Sequence, residues 1–209
     1  MLAIRARRVF DGCGLVEGGA VLVDGPEVVA VGASPPADAE LIELGGPGEV
    51  VTLLPGLIDC HQHLCFDGRG TLEEQVTGVD DDALTERARA AARRALRGGV
   101  TTLRDLGDRG WVTLDLRHAD DLPTILAAGP PITWVDGHCW YLGGGCADGV
   151  DAARQAVRER VERGVDVVKV MVTGGALTVG HYAMWSSQFT LDELRAIVDS
   201  AHGHGLPVA

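Results

Sequence analysis

Two histidines at the end of an apolar segment are the residues of this sequence best suited to chemistry. His61 and His63 close the segment Leu57–Leu64, which follows a Pro55-Gly56 break and predicts a buried strand. Because side chains alternate between the two faces of a strand, both imidazoles are expected to point the same way, together with Asp59. Imidazole is a common metal ligand, so this spacing predicts a metal site at the mouth of the strand.

Lys169 is the second candidate. It is the only lysine among the 18 lysine and arginine residues of the chain, and it lies within the apolar segment Asp166–Val172. Burial disfavours the ammonium form and lowers the pKa of such a lysine. A neutral amine can act as a base, form a Schiff base, or take up CO2 to give a carbamate able to bridge two metal ions. The alternative without chemistry is a lysine that extends to the strand end or pairs with an acid.

The elements that would position these residues alternate between apolar strands and helices from residue 57 onwards. Such alternation predicts a parallel β/α architecture, either an open doubly wound sheet or a (β/α)8 barrel. No GxGxxG sequence follows the first strand, so a dinucleotide-binding fold lacks direct support. The predicted elements are strand Leu57–Leu64, helix Asp82–Arg97, strand Val100–Leu106, a helical piece Trp111–His118, strand Pro123–Ala128, helix Val150–Arg163, strand Asp166–Val172, a helix from Thr190 to about His204, and the start of a strand at Leu206–Ala209.

The chain is predicted to contain two domains. Residues 1–54 consist of short alternating segments separated by Gly-rich and Pro-rich turns, which predicts a small β module without chemistry of its own. Residues 55–209 hold the β/α part. In a barrel the reactive side chains lie at the carboxyl ends of the strands, where the histidine pair, Arg104-Asp105 and Thr173-Gly174-Gly175 would all be found.

Composition narrows the class of protein. The 209 residues are 46% hydrophobic and carry a net charge of −12, so the chain can form a sizeable core and lacks the basic surface that a nucleic-acid partner requires. No apolar run reaches the length of a membrane helix, and none follows the N-terminal arginines as in a signal peptide. Five scattered cysteines without a CxxC pair are typical of a reducing compartment. We therefore expect a cytoplasmic protein.

Three segments closely resemble the amidohydrolase superfamily, in its branch of imidazolonepropionase-like and Xaa-Pro dipeptidase or arginine carboxypeptidase-like enzymes. They are Pro55–His63, Gly99–Asp105 and Asp166–Gly175. The resemblance implies that His61 and His63 bind the more buried metal ion and that Lys169, as a carbamate, bridges two zinc or other divalent ions. It also implies, less specifically, that His138 lies near the substrate.

The resemblance also implies what this sequence lacks. In that superfamily the remaining histidine ligands and the catalytic aspartate come from later barrel strands, and a complete barrel takes about 250 residues whereas about 150 follow the β module here. The expected fold is therefore an incomplete TIM-like (β/α)8 barrel of about four and a half β/α units, preceded by a small β-sandwich module. The expected function is metal-dependent hydrolysis of an amide C–N bond in a small molecule or dipeptide by a metal-activated water.

Two alternatives remain open from the sequence. The chain could be a truncated, catalytically inactive fragment with residual metal binding, since no catalytic aspartate is identified in it. It could also be a β/α enzyme that uses Lys169 without a metal. In either of the metal-binding interpretations we expect the 209-residue chain alone to be inactive, and to associate with a second copy or with a missing C-terminal half.

Overall fold

The computed structural model of the protein describes residues 1–144, 148–176 and 183–209. The contacts of the chain divide it into two compact units, Met1–Gly56 and Leu57–Ala209. Cys146 and His181, for which the sequence indicated no role, lie outside the described residues.

The unit Met1–Gly56 consists of β-strands alone among its assigned elements. A four-stranded sheet has the order β5-β4-β1-β6, and a three-stranded sheet has the order β3-β2-β7. Ala3, Ala20 and Leu22 form a buried cluster in this unit. Its strands are β1 (Leu2–Arg5), β2 (Arg8–Phe10), β3 (Leu15–Glu17), β4 (Ala20–Asp24), β5 (Glu27–Ala33), β6 (Glu40–Glu43) and β7 (Thr52–Leu53).

The unit Leu57–Ala209 alternates strands and helices, which confirms the predicted α/β class. Its parallel sheet has the order β10-β9-β8. A short 3-10 helix, Trp140–Leu142, follows the last of these strands. The elements are β8 (Leu57–Gln62), α1 (Leu72–Val76), α2 (Asp81–Arg97), β9 (Val100–Asp105), α3 (Val112–Leu116), β10 (Thr124–Ala127), α4 (Val150–Arg163) and α5 (Leu191–Gly203).

The segment that carries Lys169 extends this parallel arrangement. The backbone N–H of Asp166 donates to the carbonyl of Ala127 in β10, with a distance of 2.9 Å. Farther along, Val170 forms a parallel bridge with Ile132, and Val168 forms one with Val208. The segment therefore lies between the continuation of β10 and the last residues of the chain.

Helices cover one side of these strands. Leu84, Ala88 and Ala92 of α2 are buried in the larger core together with Leu103 and Ile125 of the sheet. A second core joins α4 and α5 to the Lys169 segment, through Val157, Ile197, Val168 and Val170 among others. Both cores form because the apolar stripe of each helix faces apolar strand residues.

Three predicted boundaries were wrong, for physical reasons that the structure makes visible. Strand β8 ends at Gln62, so His63 lies one residue beyond it, because the N–H of Leu64 donates to the side chain of Asp105 instead of to a strand. Residues 166–172 form isolated bridges instead of a continuous strand. The segment between the predicted strand Leu57–Leu64 and the predicted helix Asp82–Arg97, for which no element was predicted, contains α1, which a capping box of Thr71 and Glu74 stabilises.

No helix among the described residues is long and apolar enough to cross a membrane.

Candidate metal centre

The imidazole rings of His61 and His63 converge although only the first lies within β8. Their Nε2 atoms are 3.3 Å apart, and the ring planes are inclined by 58°. Two nitrogen ligands at about 2.0–2.1 Å from one tetrahedral zinc ion would be separated by about 3.3 Å, so the pair has the spacing that such an ion requires. Asp59, which was expected on the same face, accepts a hydrogen bond from the backbone N–H of His61, and its negative charge acts to raise the pKa of the His61 ring.

A hydrogen bond fixes the orientation of the His63 ring. Nδ1 of His63 lies 3.0 Å from the carbonyl oxygen of Gly107, which can only accept, so Nδ1 carries the proton and the lone pair is at Nε2. A Cβ atom on Gly107 would lie 3.2 Å from Cε1 of this ring, which explains why a residue without a side chain suits the position. This arrangement presents Nε2 to the same point as the Nε2 atom of His61.

Both histidines are held in the neutral form that metal binding requires. Burial lowers the pKa of His61, and the positive charges of Lys169 and Arg104 lower it further. Burial also lowers the pKa of His63, more strongly than the hydrogen bond to Gly107 raises it. Protons therefore compete weakly with a metal ion for the two nitrogen atoms.

Lys169 and His138 line the same cavity as the histidine pair. This cavity has a volume of about 210 Å³. Burial lowers the pKa of Lys169, which favours the neutral amine that carbamate or Schiff-base formation needs. All four residues singled out in the sequence thus meet at one site. The cavity is lined by His61, His63, Phe66, Leu72, His138, Cys139, Lys169 and Met171.

His138 is positioned by its backbone and by a glycine of the Lys169 segment. Its N–H donates to Oε1 of Gln188 at 2.7 Å, and its carbonyl accepts from Oγ1 of Thr133 at 2.8 Å. A Cβ atom on Gly175, whose φ is +61°, would come within 2.5 Å of the imidazole. The Thr-Gly-Gly sequence after the Lys169 segment therefore makes room for the His138 ring.

A buried arginine that the sequence did not indicate anchors the loop that carries His138. Arg160 of α4 is fully buried and donates to the carbonyl of Pro130, 2.7 Å away, and to the carbonyl of Gly144. These two carbonyls lie at opposite ends of the loop. The guanidinium also lies over the ring of Trp111, 5.8 Å from its centroid. One side chain on a helix thus fixes both ends of a site loop.

Two further residues of the site were not assigned roles from the sequence. Asp105 was noted only as part of a motif, and it is fully buried at the end of β9. Gln188 is 5% exposed and had no sequence signal at all. Each binds backbone groups that are distant in sequence, so only the folded chain identifies them.

The described residues offer fewer protein ligands than a complete metal site requires. No cluster of three or more histidine, cysteine or acidic side chains that could hold a metal ion occurs within residues 1–144, 148–176 and 183–209. The two imidazole nitrogens of His61 and His63 lie close together, and the amine of Lys169, the imidazole of His138 and the thiol of Cys139 line the same cavity. This set fits a divalent ion of the zinc type, provided that further ligands complete the coordination.

Comparisons with known proteins relate the chain to hydrolases. Residues 52–209 match the amidohydrolase family. The ochratoxinase of Aspergillus niger is 29% identical over 193 residues, covering 75% of this chain and 40% of that protein. The imidazolonepropionase of Anaeromyxobacter dehalogenans is 29% identical over 237 aligned positions, covering 92% of this chain and 52% of that protein.

A solved structure has the same fold. The crystal structure of a Xaa-Pro dipeptidase with bound methionine in its active site superimposes with a TM-score of 0.87 and 27% sequence identity, covering 99% of this chain and 55% of that one. The chain thus spans about half the length of the relatives that it matches.

Proposed function

This chain belongs to the amidohydrolase family, and on that premise we propose that it supplies the histidine pair and the lysine of a metal-dependent hydrolase that cleaves an amide C–N bond. The observation that carries the proposal is the convergence of the Nε2 atoms of His61 and His63, 3.3 Å apart, on a cavity that Lys169 also lines. Cleavage of a peptide bond is the activity that the name of the Xaa-Pro dipeptidase indicates.

Each residue has a proposed task. His61 and His63 would hold a divalent ion through Nε2, and the carbonyl of Gly107 keeps the proton of His63 on Nδ1. The neutral amine of Lys169 attacks CO2, so that an N–C bond forms as one C–O π bond opens and the nitrogen loses a proton. The product is a carbamate whose single negative charge is shared by two oxygens, both of which could serve as ligands. A divalent ion bound here would lower the pKa of a water molecule and polarise the scissile carbonyl. His138 faces the cavity and is proposed to contact the substrate.

The walls of the cavity suggest the kind of substrate. Phe66, Leu72 and Met171 contribute apolar surface beside the polar groups, and burial keeps the imidazole of His138 neutral by lowering its pKa. An amide with an apolar substituent next to the scissile bond fits such a cavity. We therefore propose a small N-acyl compound, a cyclic amide or a dipeptide as the substrate of the whole protein.

We also propose a fold for the whole protein, a cellular compartment and a partner. Residues 55–209 would form the first half of a (β/α)8 barrel, and residues 1–54 would form part of a β-sandwich. The scattered cysteines favour the cytoplasm. Strand β8 exposes 49% of Leu57 and 68% of Ile58, so we propose that a C-terminal half or a second copy of the chain covers this strand.

Metal binding tests the proposal most directly. Titration of the purified chain with Zn²⁺ or Co²⁺ is expected to show a site that requires both His61 and His63. Absence of binding would contradict it, and trapping of a carbonyl compound on Lys169 by borohydride would then favour a metal-free lysine enzyme.

An assay of the chain by itself addresses catalysis separately. With zinc and a panel of N-acyl amino acids and dipeptides we expect no turnover, because no acidic side chain of the described residues lines the cavity to accept the proton of the attacking water. Zinc-dependent hydrolysis would show that the chain is active without further ligands.

A further inference from the structure

Asp105 lies at the end of β9, where it pairs with Gln62, the residue between the two histidines, and its side chain is fully buried. Its Oδ2 accepts a hydrogen bond of 2.7 Å from the backbone N–H of Leu64. Its Oδ1 accepts one of 3.0 Å from the backbone N–H of Gly107. One carboxylate therefore joins two segments of backbone that are more than forty residues apart in the sequence.

Both of these backbone segments are in contact with His63 or adjacent to it in the sequence. Leu64 is the residue after His63, and the carbonyl of Gly107 is the acceptor for Nδ1 of its ring, 3.0 Å away. Asp105 thus fixes the backbone on one side of the imidazole and the acceptor on the other. The neighbouring pairing of Gln62 with Asp105 keeps the strand ends in register at this point.

We propose that Asp105 is a positioning residue for His63. By binding both Leu64 and Gly107, the carboxylate keeps the Gly107 carbonyl on Nδ1, so that Nε2 presents its lone pair to the cavity. A carboxylate suits this task because two N–H groups need two acceptor oxygens, whereas an asparagine offers one oxygen and an NH₂ group that would oppose the second N–H. The consequence for metal affinity rests on the proposed function, but the effect on the ring does not.

Asp108 provides a matched control. It is also fully buried, three residues farther along the chain, but its Oδ2 accepts from the backbone N–H and hydroxyl of Thr113 at the start of α3. The hydrogen bonds of Asp108 thus hold a helix start and not the His63 segment. Asp108→Asn leaves both acceptor oxygens of Asp105 in place. It also removes a charge that raises the pKa of Asp105, so it favours the carboxylate form that accepts from Leu64 and Gly107.

The test is ¹⁵N NMR of the imidazoles in the metal-free chain, above the pKa of its histidines, for the wild type, Asp105→Asn and Asp108→Asn. We expect His63 to carry its proton on Nδ1 in the wild type and in Asp108→Asn, and to lose this preference in Asp105→Asn. Zinc affinity should fall about 10–100-fold in Asp105→Asn, as for other groups that orient a metal ligand, and less than about threefold in Asp108→Asn.

Hydrogen exchange in the wild type keeps the proposal testable if Asp105→Asn does not fold. The backbone N–H groups of Leu64 and Gly107 should exchange slowly with solvent, because the buried carboxylate of Asp105 accepts both of them. Rapid exchange would overturn the proposal. Retention of the Nδ1 proton in folded Asp105→Asn, or an equal loss in Asp108→Asn, would overturn it too. If even the wild type binds no zinc, the proposed function fails while the ring measurement still decides the role of Asp105.

Discussion

The side chain of Gln188 accepts a hydrogen bond of 2.7 Å from the backbone N–H of His138, fifty residues earlier in the chain. Its Nε2 donates to the carbonyl of Met171, 2.5 Å away. One buried amide group therefore connects the loop that carries His138 to the segment that carries Lys169. The Gln188 side chain thereby links His138 and Met171, two residues that line the same cavity.

Replacement of Gln188 by alanine should destabilise the fold. It would leave the N–H of His138 and the carbonyl of Met171 without their partner, and each buried unsatisfied group costs about 1–3 kcal/mol. Urea denaturation should show this loss in the free energy of unfolding. Gln155→Ala, on the exposed face of α4, is the control and should change the free energy by less than about 0.5 kcal/mol. Equal stability of the two variants would contradict the role of Gln188.

Removal of either histidine of the pair should abolish tight metal binding. We expect His61→Ala and His63→Ala each to weaken zinc binding by more than about 100-fold, since loss of a ligand should exceed the effect of losing a group that only orients one. Calorimetric titration measures the change. His118→Ala and His202→Ala replace exposed histidines and should bind zinc as the wild type does. Wild-type affinity after loss of His61 or His63 would rule out the pair as ligands.

Lys169 should take up CO2 when the metal site is filled. In the presence of zinc and ¹³C-bicarbonate, we expect a carbamate signal in the ¹³C NMR spectrum. Because Lys169 is the only lysine of the sequence, any lysine carbamate belongs to it, and a signal from the N-terminal amine would persist in Lys169→Arg. Arginine keeps the positive charge but cannot form the carbamate. Identical spectra for both proteins would refute this assignment.

Stability should depend on pH through Glu193. Burial acts to raise the pKa of Glu193, but hydrogen bonds from Thr190 and from the N–H of Gly149 outweigh it and hold the pKa below its ordinary value. A carboxyl group with a lowered pKa stabilises the fold above its unfolded pKa, and this contribution is lost as the pH falls through the folded pKa.

The corresponding variant is Glu193→Gln. At pH 7 it should be less stable than the wild type by about 1–2 kcal/mol, the cost of a weakened cap and of an amide that faces a second donor. Denaturation at a series of pH values should show this difference shrinking towards acid pH. Glu162→Gln, on the exposed surface of α4, should show no such trend. A difference that is constant with pH would mean that the charge of Glu193 is not responsible.

Local signals in the sequence were sufficient to predict most of the helices in the unit Leu57–Ala209. The apolar periodicity of α4 and its end at Gly164, and the capping box of Thr190 and Glu193 at the start of α5, each depend on residues within one or two turns. Such interactions are visible in the sequence because they form between near neighbours. The same type of capping box stabilises α1, but that helix has only five residues and its periodicity was too short to recognise.

The sequence by itself identified His61, His63 and Lys169 as candidates for metal binding, from their types, from the apolar segments around them and from the resemblance of those segments to a family. Only the tertiary structure decided that they share one cavity and that Gly107 and Asp105 orient the His63 ring. The physical reason is that a hydrogen bond between distant segments depends on how strands and helices pack, and no local pattern encodes that packing.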